Sequence, residues 1–415
     1  MALSDFRPFR AVRPAAGLEQ KVNCPPYDVI SFEEAREIGR NPESFVHVIR
    51  SEIDLPEETD HYDESVYLKA KGNFEKLLSD AILVQEERPA YYIYWQKMKD
   101  HVQIGIVGCA SVDEYQRERI KKHELTRQDK EEDRVKHIHT VGANTGLVFL
   151  TFRSSEKLEE ILSRYVKELE LSMRVIDEND VEHRLYAVKD DKRVEELRQS
   201  LGEIKNMYIA DGHHRAASSS RVRELMKAKN PDHTGEEEYN YFMAVAFPHS
   251  HLRIMDYNRV VKDLSGITQD EFIDRVGAAF DISHAPESPY KPVKRHEFGM
   301  CLFGKWYLLT ARSGTFDEND PVGSLDVDIL QRNLLGPVLG IDNPRKDPRI
   351  DFVGGIRGLK ALENRITNGW AVAFSMFPTS MEELLAVADS GKIMPPKSTW
   401  FEPKLRSGLV VHLLK

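Results

Sequence analysis

Cysteine is scarce in this chain. Cys24, Cys109 and Cys301 are the only three among 415 residues, and they lie far apart with no CxxC pair. That pattern argues against a disulfide framework or a zinc knuckle and suits a reducing cytoplasm. Cys24 precedes a Pro-Pro-Tyr-Asp run, where a packed thiol is expected rather than a reactive one. Positive charge is also in short supply: 58 Lys and Arg stand against 68 Asp and Glu, a net charge of −10. Broad electrostatic binding to nucleic acid or anionic membrane is thereby disfavoured, although a local basic cleft remains compatible. No uninterrupted apolar run is long enough to cross a bilayer. The opening Met-Ala-Leu-Ser-Asp-Phe-Arg-Pro-Phe-Arg holds no signal-peptide core, so a cytoplasmic location is expected. Internal repeats, heptads, P-loops and GxGxxG are all missing, which leaves Walker and Rossmann nucleotide sites without support.

What is present is an ordinary globular composition, 41% hydrophobic and 30% charged, long enough for two or three domains. Its most informative stretch is Met207-Tyr208-Ile209-Ala210-Asp211-Gly212-His213-His214-Arg215. The first four residues are apolar and β-prone and read as a buried strand. Asp211-Gly212 is a turn signal, with Gly free to take positive φ. From His213 to about Lys229 the residues favour helix. Strand, glycine turn and helix start together point first-turn N–H groups outward, where they attract anions. Arg215 adds a guanidinium fork suited to phosphate or carboxylate. Two readings stand: a phosphate site, or a capped helix in which Asp211 takes backbone N–H bonds and the histidines lie at the surface.

Other stretches supply further candidates. Pro25-Pro26 fixes the path into Tyr27-Asp28, so Asp28 is a candidate base or metal ligand, with turn capping as the plain alternative. Ser31 and Glu34 fit a capping box for the helix that follows. Phe45–Arg50 reads as a strand. Across 114–140, His123, Arg127, Lys130, Arg134 and His137 recur at steps of four and three, which on a helix gathers them on one face. That face is either solvated or a ligand-facing lid. Asn144 sits in the following Gly-rich loop and is a weaker candidate. His249 and His251 would share one side of an extended chain, but no third ligand follows by spacing, so no metal site is expected. Glu156–Leu171 is an amphipathic helix. Arg259 lies in a polar cluster, and Lys397, Ser398 and Thr399 follow a rigid Pro-Pro pair. That last mixture suits a wall over an anionic ligand, with a C-terminal clamp across the fold as the plainer and favoured reading.

Ala-Asp-Gly-His-His-Arg after a strand resembles the phosphate-binding box of the ParB/sulfiredoxin-like superfamily, in the form found in the free-serine kinases. A longer set of boxes resembles the bacterial and archaeal family called domain of unknown function 1015. These boxes are Arg7-Pro8-Phe9-Arg10, Pro25 to Ile30, Asn41-Pro42 with His47 to Arg50, His123 to Arg127, 210–215, Tyr257 to Val261, and Met394 to Thr399. The resemblance implies a ParB/sulfiredoxin-like core with large insertions, and strand–helix alternation implies a mixed α/β chain with mixed sheets. Three regions are expected: 1–112, whose Pro-Pro-Tyr-Asp segment can join the core, 113–265 with the box, and 266–415.

The function this resemblance implies is a small-molecule phosphotransferase like free L-serine kinase. Asp211, Gly212, His213, His214 and Arg215 would bind the nucleotide phosphates. Asp28, His213 and His214 would be the catalytic candidates, and His123, Arg127, Arg134, Asn144, Arg259, Lys397, Ser398 and Thr399 would face the ligand. ADP or ATP with Mg2+ would be the cofactor. The expected partners are a nucleotide, a small substrate such as L-serine and a second copy of the chain as a homodimer, with no nucleic acid and no membrane. Two alternatives stand beside this: a ParB-like nucleotide-binding switch or regulatory module, and a phosphoserine-directed phosphoester hydrolase. The chain departs from the kinases in length, since residues 31–205 separate two boxes that lie closer together there.

Overall fold

Alternation of short apolar runs with helical stretches builds two compact units in the computed structural model, which describes residues 4–415. One unit comprises residues up to Leu252 together with Pro403–Lys415, and the other is Arg253–Glu402. The chain is mixed α/β with mixed sheets.

A nine-stranded sheet organises the first unit. Its order runs Ile120–Lys121, Met207–Asp211, Val148–Phe152, Tyr241–Pro248, His101–Ser111, Tyr91–Met98, Glu182–Val188 and Met173–Ile176, with Phe6–Arg7 pairing beside His101–Ser111. Tyr241–Pro248 runs parallel to Val148–Phe152, whereas Met207–Asp211 is antiparallel to it. The central strands read as continuous apolar runs because both faces are covered: Tyr91 to Tyr94 and Tyr241 to Pro248 are buried throughout. The helix Glu156–Glu168 packs Leu158, Ile161, Leu162 and Tyr165 into the core, as its amphipathic pattern predicts. Helices Gln128–Val141 and His213–Ala228 pack along one another.

The second unit centres on a six-stranded antiparallel sheet in the order Phe280–His284, Lys305–Ala311, Glu297–Leu302, Val372–Met376, Tyr257–Val261 and Ile350–Gly354. The helix Met381–Asp389 starts with a capping box formed by Ser380 and Glu383.

Three local expectations are corrected. Phe45–Arg50 is not a strand: Val46–Ile49 is a helical turn with Val46, Val48 and Ile49 all buried. A short run that is apolar on every side carries no period with which to tell strand from helix. The stretch 114–140 is not one helix either. Val112–Gln116 is a short helix, Ile120–Lys121 pairs in parallel with Met207–Tyr208, and the long helix begins only at Gln128. Finally, His249–His251 forms a 3-10 turn, so the period-two argument for a shared side does not hold there. His249 Nδ1 accepts from the Ser154 amide at 3.0 Å, and His251 lies 3.5 Å from Glu159.

Candidate functional site

Met207 to Ala210 are buried and Asp211 is half-buried, and the register of this strand against Val148–Phe152 shifts between Ile209 and Asp211. This is a β-bulge, after which Asp211 stands opposite Phe149. Gly212 follows at φ +91, where a Cβ would also meet Arg215 Nη1 at 3.3 Å and Val148 Cα at 3.4 Å. Glycine is therefore favoured by the backbone conformation, and the space beside it is tight. The helix His213–Ala228 then starts with no side chain capping its first turn. Asp211 occupies one amide, that of Gly212, at 2.7 Å through Oδ1.

Arg215 projects from that first turn. Its Nη1 donates to the Leu147 carbonyl at 3.0 Å, and its Nη2 donates to Asp28 Oδ1 and Oδ2 at 3.0 and 3.1 Å. The guanidinium also stands 5.5 Å from the centre of the Tyr27 ring, and Arg134 lies over the same ring at 4.2 Å. Burial works against the charge on Arg215, but Asp28, Tyr27 and Asp211 outweigh it and raise its pKa. Burial pushes the Tyr27 hydroxyl up to about 12, with Asp28 adding to the effect. Three pockets, whose envelopes of about 280, 350 and 440 Å3 include open solvent, all have Arg215 in their walls.

The paired histidines do something the sequence did not suggest. His213 Nε2 accepts from the His123 amide at 3.4 Å, and His214 Nε2 accepts from the Arg127 amide at 3.0 Å. Both rings are thus neutral, with the proton placed on Nδ1, and together they hold the 123–127 segment against the box. The rings of His123 and His213 meet edge to face, 4.5 Å apart. Burial lowers the pKa of all three; for His123 the value falls to about 4, and His213 is pushed lower by burial together with His123 and His214. The fixed positive charges acting on Asp211 are Arg215 and Lys404, whose Nζ lies 3.2 Å from Asp211 Oδ2. Burial alone would raise the pKa of Asp211; Lys404 and Arg215 hold it well below the usual carboxylate range instead.

The remaining candidates separate by location. Asp28, Asp211, Gly212, His213, His214 and Arg215 line the 280 Å3 cavity. Asp28 precedes the Ser31–Glu34 capping box, which forms as expected and caps the helix without it. His123 is buried beside His213, whereas Arg127 pairs at the surface with Asp129 at 2.8 Å. Arg134 and Asn144 line the 440 Å3 cavity. Arg134 pairs with Asp133 at 2.7 Å. Asn144 accepts from the Met243 amide at 3.2 Å and donates to Ser219 at 3.3 Å. Arg259, Lys397, Ser398 and Thr399 belong to the second unit. There Arg259 donates to the Tyr257 and Lys397 carbonyls, and Ser398 donates to the Pro395 carbonyl at 2.7 Å. Among the described residues no group of three His, Cys, Asp or Glu could hold a metal ion, and no helix is long and apolar enough to cross a membrane. All three cysteines are buried and free, with the Cys24 thiol pushed up to about 12 by burial.

A family model described as a protein of unknown function, DUF1015, matches residues 6–328. The chain belongs to the DUF1015 family. No curated protein matches this DUF1015 chain. Among solved structures it is similar to a free serine kinase variant in complex with AMP, at 13% identity over 72% of this chain and 87% of the other, with a TM-score of 0.38. A conserved hypothetical protein from Pyrococcus furiosus is similar at 14% identity over 74% and 95%, with a TM-score of 0.37. SbnI with C-terminal truncation from Staphylococcus aureus is similar at 12% identity over 74% and 87%, also with a TM-score of 0.37.

Proposed function

We propose that this DUF1015 protein is a nucleotide-dependent phosphotransferase acting on a small hydroxyl compound such as L-serine. The observation that carries the reading is the Asp28–Arg215 pair at the uncapped start of the helix His213–Ala228. It sets a general-base candidate directly against a phosphate-binding guanidinium. Phosphoryl transfer asks little covalent chemistry of a protein and much positioning and charge neutralisation.

Arg215, in the first turn of the helix, holds the phosphates of the donor. As they engage, Asp28 is released from its partner and accepts the hydroxyl proton of the substrate. The substrate oxygen bonds to the terminal phosphorus, the P–O bond to the nucleotide breaks, and the shortened nucleotide leaves with the bonding pair. The histidines act by holding the 123–127 segment. Mg2+ carried by the nucleotide would neutralise charge between its phosphates. Asp211, which borders the 280 and 350 Å3 pockets, would be the carboxylate added to the phosphate oxygens around that ion.

The test is phosphoserine formation from L-serine with ADP or ATP and Mg2+. The wild-type chain forms product and Arg215→Ala forms none. Absence of product from the wild type, together with unaltered nucleotide binding by Arg215→Ala, contradicts the reading.

A further inference from the structure

Two cavities of opposite character share Arg215 and Asp211 as walls. The 280 Å3 cavity carries the carboxylates of Asp28, Asp211 and Glu124, and among the described residues lining it Arg215 is the one Lys or Arg. The 350 Å3 crevice adds Lys404 beside Arg215, with Asp211 as its carboxylate and Pro26, Leu147 and Phe149 among its apolar walls. Arg406 also borders the crevice, but its guanidinium is committed to Glu178 at 2.8 and 2.9 Å and to Asn23 at 2.8 Å. A polyanion is repelled by the first cavity and attracted by the second, and the apolar walls strengthen that preference by lowering the local dielectric.

We infer that Lys404 is a second anion-binding residue of this site, and that the crevice it forms with Arg215 takes the polyphosphate of the donor while the Asp28 cavity takes the hydroxyl substrate. The inference rests on the phosphotransferase reading and moves the phosphates to the Lys404 side of the box.

The backbone around Lys404 is held in place on both sides. Gln96 Nε2 donates to the Lys404 carbonyl at 3.1 Å, and the Arg406 amide donates to the Tyr94 hydroxyl at 3.3 Å. Ser407 and Cys24 exchange backbone bonds at 2.9 and 3.2 Å. Gly408 turns the chain at φ +83, where a Cβ would strike Phe45 at 2.6 Å. With its main chain already ordered and its side chain 22% exposed, Lys404 loses little freedom on meeting an anion. Asp211 keeps the ammonium paired until phosphate oxygens arrive.

The experiment is calorimetric titration of the full chain and of Lys404→Met, Lys404→Gln and Lys404→Arg with inorganic tripolyphosphate, ADP and L-serine. Lys404→Met and Lys404→Gln are expected to weaken tripolyphosphate and ADP binding by about tenfold or more, the loss typical of a removed charged hydrogen bond. Lys404→Arg is expected to restore most of it, and L-serine binding to stay unchanged. Lys404→Gln retains a hydrogen-bond donor toward Asp211 and decides the matter should Lys404→Met fail to fold. Tripolyphosphate binding at wild-type strength in the folded neutral variants overturns the proposal, and so does a loss confined to L-serine. Lys404-dependent tripolyphosphate binding without ADP binding upholds the anion subsite while refuting the nucleotide of the proposed function.

Discussion

Asp28 and Arg215, 187 residues apart in the chain, form a two-oxygen ion pair with Nη2 at 3.0 and 3.1 Å from the carboxylate. The Arg215 side chain is 12% exposed and that of Asp28 is 38% exposed, so the pair closes the cavity on the guanidinium side and opens to solvent on the carboxylate side. A partly exposed pair of this kind is weak enough for a ligand to displace.

That competition gives Asp28→Asn two opposite effects. Removing the carboxylate frees Arg215 for anions, so tripolyphosphate binding should strengthen by about two- to fivefold, the range of a partly exposed ion pair. Phosphoserine formation should disappear in the same variant, because the proton acceptor is gone. Calorimetry and a product assay on one preparation read both effects. Unchanged behaviour in each would remove Asp28 from the site.

Gly212→Ala tests the turn. A β-carbon at φ +91 is strained, and it would also press on Arg215 and Val148. The expected loss is about 1–2 kcal/mol in urea denaturation, the penalty of the left-handed region for an L-residue, accompanied by weakened anion binding as Arg215 shifts. A variant as stable as the wild type would contradict the assigned geometry.

The buried histidines predict a pH-dependent stability. In the unfolded chain imidazoles titrate near 6.5. In the folded chain burial keeps His123 and His137 neutral down to about 4 and holds His213 well below its ordinary value. Between those limits the unfolded state binds the extra protons. Stability is therefore complete above about pH 6.5 and falls as the pH drops toward 4. His123 is buried with its ring edge to face against His213, so His123→Phe should fold and should lose less stability than the wild type between about pH 7 and about pH 5. Urea midpoints at the two pH values provide the comparison, and identical losses would count against the assignment.

Asn144→Ala separates structure from ligand binding. Asn144 is 4% exposed and its amide serves Met243 and Ser219. Truncation strands the Met243 amide inside the protein and should cost about 1–3 kcal/mol, with little change in anion affinity once stability is matched. A large affinity loss at unchanged stability would make Asn144 a ligand-facing residue instead.

Legibility in the sequence follows distance along the chain. The strand, turn and helix of the 207–228 stretch and the Ser31–Glu34 cap are local arrangements, and local chemistry dictates them. The mixed α/β class follows from the same alternation of patterns. Lys404 carries no local signal of its role beyond a basic turn closed by Gly408, because its partner Asp211 lies 193 residues away. His213 and His214 looked like acid–base groups because nothing nearby reveals that their Nε2 atoms accept amides from 123–127. The break in the 114–140 stretch is likewise non-local: pairing of Ile120–Lys121 with Met207–Tyr208 draws that segment out of the helix.

The central claim, that Arg215 binds the phosphates of a nucleotide, is tested most directly by calorimetric titration of ADP with Mg2+ into the wild-type chain and Arg215→Ala. The account predicts saturable binding by the wild type and a loss of at least about tenfold in the variant, as for a removed charged donor. Equal affinity in the two proteins, or no binding by either, would contradict it.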